Sequence, residues 1–160
     1  MTVEKQKILD NLRKQLLAIE GFKPSAIANV VGFGLGEIEN CFHNAIFPTG
    51  TIHEFLAESQ EDTAASEGFI SCLLAKMMST GNICLWISRN RKLFPPGMQA
   101  FNVNPQLVIF IDLTREKEIL WVMEEALKCE GLACVIAEIS DIGFSQSQRL
   151  QLATEKSSVT

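Results

Sequence analysis

The chain has 160 residues, 47% of them hydrophobic and 21% charged, with a formal net charge of −5. That is the composition of a soluble globular protein large enough for one real core, and its apolar runs of four to six residues are too short to span a membrane. The acidic balance argues against autonomous DNA binding, because the one basic cluster, Arg89, Arg91 and Lys92, reads as solvated surface rather than a phosphate site.

Val3 to Ile19 has a helical pattern. Ile8, Leu12, Leu16 and Ile19 fall on one apolar stripe, opposite Lys5, Lys7, Asp10, Arg13 and Lys14. Gly21 and Pro24 close this segment, so residues 1–24 are expected to form an N-terminal helix and linker, and residues 25–160 the core domain. Charges run through the first 20 residues without an apolar stretch, so no signal peptide is expected and a cytoplasmic location follows.

Gly32, Gly34 and Gly36 lack a preceding strand and a following helix, so they read as turn glycines rather than a dinucleotide fingerprint. After Pro48-Thr49-Gly50 the pattern begins to alternate. Strands are predicted over 51–56, 82–88, 107–112 and 132–139. Helices are predicted over 63–79, over 115–128 with Thr114 as cap, and from a cap at Ser145 or Ser147 to about Lys156. Pro95-Pro96 opens a loop and short helix over 94–101. Apolar strands separated by helices predict a parallel α/β sheet covered on both faces, with right-handed crossovers. The chain closes just after a helix, where an alternating fold would place another strand; it is expected to stop early or to be most of a longer protein.

Cys41, Cys72, Cys84, Cys129 and Cys134 form no CxxC pair and lack zinc-site spacing. Cys84 and Cys134 lie in apolar strand-like runs and read as buried free thiols in a reducing compartment. His43 and His53 have no Ser or Cys partner in a recognisable order. Glu124 and Glu125 should lie on a helix, one carboxylate solvated and the other near the core edge.

Residues 51–70 frame a phosphate-binding loop as strand, short loop and helix. The loop interior, however, is Ser59-Gln60-Glu61-Asp62-Thr63-Ala64. Cradling a triphosphate takes glycines whose backbone N–H groups curl round the anion, a lysine for the outer phosphates and a hydroxyl for magnesium. Here two carboxylates lie where the triphosphate would sit, and like charge repels.

Phe47-Pro48-Thr49-Gly50 followed by Ile52-His53-Glu54-Phe55, a loop and a helix resembles the start of the RecA ATPase core. Leu85-Trp86-Ile87, the stretch from Phe101 to Leu107, and Ala133-Cys134-Val135-Ile136-Ala137-Glu138 resemble the later strands of that core and their approaches. Leu93-Phe94-Pro95-Pro96-Gly97, residues 120–127 and Arg149-Leu150-Gln151-Leu152-Ala153 resemble the ImuA family, RecA-like proteins of bacterial error-prone repair cassettes. The resemblance covers roughly residues 35–157 and lacks the family's usual C-terminal continuation. It implies a RecA-like α/β fold of the P-loop type, with the N-terminal amphipathic helix added.

Carried over position by position, the resemblance puts the loop glycines at Ala57 and Asp62, the P-loop lysine at Thr63 and the magnesium hydroxyl at Ala64. The catalytic carboxylate falls near Asn90, and the Walker B aspartate at Glu138, which alone keeps its charge type. Without the lysine and hydroxyl nothing clamps the γ-phosphate or its metal, and without a carboxylate near Asn90 nothing orients an attacking water. The implication is a non-catalytic adaptor in SOS-type translesion synthesis that needs no cofactor. Its implied partners are an inactive Y-family polymerase homologue, a replicative-type error-prone polymerase and RecA itself. The stripe of Ile8, Leu12, Leu16 and Ile19 could also pair copies of the chain. Two alternatives stay open: a RecA-like ATPase with a divergent site, and a SulA-like inhibitor of cell division.

Overall fold

The structure is a computed structural model that describes Leu12 and residues 33–42, 47–79 and 81–160. The chain divides into two compact units, Met1–Pro48 and Thr49–Thr160. The expected boundary after Pro24, and all but Leu12 of the expected N-terminal helix, lie outside the described residues. Leu12 itself is helical and 50% exposed.

In the first unit a short 3-10 helix spans Gly36–Cys41. The Glu39 carboxylate accepts the backbone N–H of Gly34 at 2.9 Å and of Leu35 at 3.3 Å, closing the turn before it. Gly34 and Gly36 both have positive φ, 74° and 61°, as turn glycines do. The Phe47 ring is buried, with the rings of Phe33 and Phe42 at centroid distances of 4.9 and 5.2 Å.

The second unit is an α/β layer structure of the RecA-like class. Its elements run α1 (Gln60–Met77), β1 (Ile83–Ser88), a 3-10 helix at Pro95–Phe101, β2 (Val108–Asp112), α2 (Glu116–Leu127), β3 (Leu132–Ala137) and α3 (Phe144–Ser157). The strands form a parallel sheet in the order β2-β1-β3, with Trp86 opposite Phe110 on one side and Ile136 on the other. Residues alternate between faces along β1. Cys84 and Trp86 enter one core cluster with Leu74 and Met78 of α1 and with Met98, Val103, Val108 and Cys134. Ile87 enters the other, with Ile119 and Leu127 of α2, Val135 of β3 and Leu150 of α3. A sheet packed on both faces has no polar side, so its central strand reads as one apolar run.

The strand expected over 51–56 is not formed. Residues 52–57 have no regular structure; Phe55 is exposed and Leu56 is 89% exposed. At the outer edge of β3 the Val135 N–H donates to the Thr160 carbonyl at 2.8 Å. The Thr160 hydroxyl oxygen in turn accepts the Gly50 N–H at 2.8 Å. Ile52 is partly buried and only rims the second core cluster. Gly50 permits the approach: its φ is 68°, and a Cβ there would stand 3.3 Å from Ser158 Cα.

Helix starts also differ from expectation. Thr114 does not cap α2; Arg115 is its N-cap, and no side chain caps it. The last helix begins at Phe144, before Ser145 and Ser147, and the Gln146 side chain reaches back to accept the Gly143 N–H at 2.8 Å. No helix among the described residues is long and apolar enough to cross a membrane.

Candidate functional site

The loop before α1 is closed by its own side chains. Ser59 has extended backbone, φ −127° and ψ 172°, and is the N-cap. Its Oγ accepts the Asp62 N–H at 3.1 Å. The Asp62 carboxylate accepts the Ser59 hydroxyl at 2.8 Å, the Ser59 N–H at 3.1 Å and the Glu58 N–H at 3.3 Å. The Thr63 N–H and hydroxyl both donate to the Ser59 carbonyl, at 3.1 and 2.9 Å. This reciprocal capping box starts the helix at Gln60, three residues earlier than the apolar pattern indicates.

A helix N-terminus leaves N–H groups that attract anions. Here the Asp62 carboxylate places a negative charge at the helix start and accepts the Glu58 and Ser59 N–H groups just ahead of it. The Ser59 hydroxyl first, then the Ser59 N–H, holds the Asp62 carboxyl below its ordinary range. Ala57 is exposed in the preceding loop, and Thr63 and Ala64 lie near the start of the helix, the Thr63 hydroxyl donating to the Ser59 carbonyl.

Glu138 follows β3 directly. Its N–H donates to the Ile87 carbonyl at 2.9 Å, prolonging the ladder by one rung. Its carboxylate accepts the indole N–H of buried Trp86 at 2.6 Å. Glu67, one helical turn after Thr63, faces the same carboxylate. Burial first, and then the charge of Glu138, raise the Glu67 carboxyl above its ordinary range, against an opposing pull from Lys92. The structure thus brings Glu138 to the α1 side of the sheet end. Asn90 instead sits in the exposed turn after β1.

The three basic residues that look like a cluster are dispersed among carboxylates. Arg91 pairs with Asp112 at 3.1 Å, and its guanidinium lies over the Phe110 ring at 4.8 Å. Lys92 acts on Glu67, and Arg89 acts on Glu116. Buried Ser88 donates to Asp112 at 3.3 Å. Ser88, Glu67 and Asp112 carry no motif in the sequence. The one available signal is that Ser88 and Asp112 each end an apolar run, and parallel strands bring such ends together.

Glu124 is tied to Arg149 and, at 3.3 Å, to Lys128, and the half-exposed Glu125 pairs with Lys128 at 2.7 Å. His43 lies outside the described residues; His53 is part-buried in the irregular segment before α1. Cys84 and Cys134 face each other across β1 and β3 as buried free thiols. Among the described residues no three His, Cys, Asp or Glu side chains converge as metal ligands.

No family model matches the chain. Protein ImuA of Caulobacter vibrioides strain NA1000 / CB15N is 32% identical to it over 130 residues, covering 79% of this chain and 53% of that protein. Protein ImuA of strain ATCC 19089 / CIP 103742 / CB 15 matches to the same extent. The chain belongs to the ImuA family. It spans about half the length of the curated ImuA proteins it matches. Within this ImuA-family chain, the self-capped loop and the Trp86–Glu138 pair occupy the positions that the RecA resemblance marks for nucleotide chemistry.

Proposed function

We propose that this chain is a non-catalytic RecA-like adaptor in SOS-type translesion DNA synthesis, a pseudo-ATPase whose degenerate P-loop has become a helix cap. The observation that carries this is the Asp62 carboxylate, which takes the loop N–H groups a phosphate would need. Supporting it, Glu138 accepts the Trp86 indole N–H rather than standing free at the Walker B position. The site positions Ala57, Asp62, Thr63, Ala64, Asn90 and Glu138 are then remnants, and no nucleotide cofactor is required. The proposed setting is the cytoplasm. The proposed partners are the cassette's inactive Y-family polymerase homologue, its replicative-type error-prone polymerase and RecA.

The N-terminal stripe of Ile8, Leu12, Leu16 and Ile19 is proposed to join copies of the chain. In support, Leu12 is 50% exposed, and large apolar side chains gain about 1.5–3 kcal/mol each on burial. Light scattering tests this: deleting residues 1–20 should turn an oligomer into a monomer while leaving the sheet folded.

The adaptor role is tested by mixing the purified chain with the purified Y-family homologue, with and without magnesium-ATP. Association that is indifferent to nucleotide supports it. Tight nucleotide binding that is abolished by Glu138→Gln would instead establish a divergent ATPase.

A further inference from the structure

The strand ends part company on leaving the sheet. After β1 the chain turns to the face holding Trp86 and Met98; after β2 it turns into α2 on the face holding Ile119 and Leu127. In open α/β sheets such a divergence leaves a crevice outside the carboxyl ends of the strands, where ligands bind. A recess of about 600 Å³ opens here, lined by Arg89, Thr114, Glu116, Lys117 and Trp121 among others. It lies apart from the capped loop of α1.

Trp121 is 62% exposed, although α2 buries Ile119, Ala126 and Leu127 on its other side. An indole is a large apolar surface to leave in water, and Trp and Arg are enriched among the residues that dominate protein interfaces. Lys117 lies four residues before Trp121, on the same side of the helix, and has no ion pair among the described residues. Arg115 is already paired with Glu118. Arg89 is partly offset by Glu116, whose carboxylate also accepts the Ser140 N–H at 2.6 Å. That bond ties the loop before α3 to this rim, and α3 opens at the same end of the sheet with Phe144, 78% exposed.

We propose that Trp121, Lys117 and Arg89 form a docking surface for a protein partner, seating an apolar side chain on the indole and a neighbouring carboxylate between the two cations. Charge selects this occupant. One acidic group complements Lys117 and Arg89, whereas Glu116 and Glu118 on the same rim repel the successive phosphates of a nucleic-acid strand, as does a chain of net charge −5. The assignment rests on the adaptor role proposed above.

The test titrates the purified full chain with the purified inactive Y-family polymerase homologue of the cassette, by calorimetry. Trp121→Ala and Lys117→Glu should each weaken binding at least about tenfold. Lys117→Arg should keep it, and Leu152→Ala, at an exposed position later in α3, should leave it unchanged. Thermal melting of each variant should match wild type, since Trp121 and Lys117 lie at the surface. If wild type binds and neither variant weakens it, the docking surface is overturned while the adaptor role stands. If wild type fails to bind, the adaptor role falls and the surface with it. Binding of single-stranded oligothymidylate that is lost in Trp121→Ala would overturn the peptide assignment in favour of nucleic acid.

Discussion

The indole N–H of Trp86 donates to the Glu138 carboxylate at 2.6 Å, joining the central strand to the residue that follows its neighbour. Trp86 is 1% exposed, so this side chain fills the core and also fixes the Glu138 carboxylate. The two functions separate by mutation. Trp86→Phe keeps an aromatic ring but removes the donor, and should destabilise by about 1.5–3 kcal/mol, as for a hydrogen bond to a charged group. Trp86→Ala should cost about 3–5 kcal/mol, a large share of ordinary domain stability. Urea denaturation measures both. In a Trp121→Phe background the remaining emission should be blue-shifted and resist quenching; red-shifted, freely quenched emission would contradict the burial.

Magnesium-ATP should give no binding heat at high micromolar nucleotide. A dissociation constant below about 10 µM, roughly −7 kcal/mol, would contradict the proposed loss of the site. Thr63→Lys should not rescue binding, because Asp62 would still hold the loop N–H groups.

Asp62 makes stability depend on pH in a defined direction. Its carboxyl is held below the ordinary 3.8 in the folded chain, so its contribution is present above that value and is lost as pH falls through the lower, native one. Asp62→Ala should flatten this acid limb in denaturation measured across the acid range. Ser59→Ala, which removes the other half of the box, should lower stability by about 1 kcal/mol.

Glu67 carries the opposite sign. Its native carboxyl titrates above the ordinary 4.5 because of burial and Glu138, so wild type gains stability as pH falls through that raised range. Glu67→Gln should therefore melt at a higher temperature than wild type at neutral pH. The difference should shrink under acid conditions, where Glu67 is protonated in both folded and unfolded chains. A lower melting temperature at neutral pH would show that the Lys92 attraction outweighs the other two effects.

Thiol titration should resolve two classes. Cys41, Cys72 and Cys129 are exposed and should react at once, whereas Cys84 and Cys134 should react only on unfolding. Contact with Cys134 and burial push the Cys84 thiol well above its usual range, which removes the reactive thiolate. Fast reaction of all 5 cysteines would refute the packing of β1 against β3.

The sequence by itself determined the layer architecture. A sheet packed on both faces draws apolar residues in succession along its strands, so Ile83–Ser88, Val108–Asp112 and Leu132–Ala137 stand out as largely apolar runs between helical patterns. Parallel pairing then follows from the intervening helices. That Ser59 to Ala64 hold neither lysine nor glycine is equally plain, because phosphate-loop chemistry depends on residue type at short spacing. The Ser59–Asp62 cap was also within reach, being a contact over three residues, although the apolar pattern alone drew the helix start too late.

Tertiary structure decided the rest. Residues 51–56 have strand-like composition, yet the fold leaves 52–57 without regular structure, and the Val135 N–H at the edge of β3 goes to Thr160. Trp86 meets Glu138 across 52 residues of sequence, and Glu67 reaches the same carboxylate from α1. Arg89, Arg91 and Lys92 look like one basic patch along the chain, yet the fold sends them to Glu116, Asp112 and Glu67. Local propensity cannot encode which carboxylate a side chain meets, because that depends on where the strand ends converge.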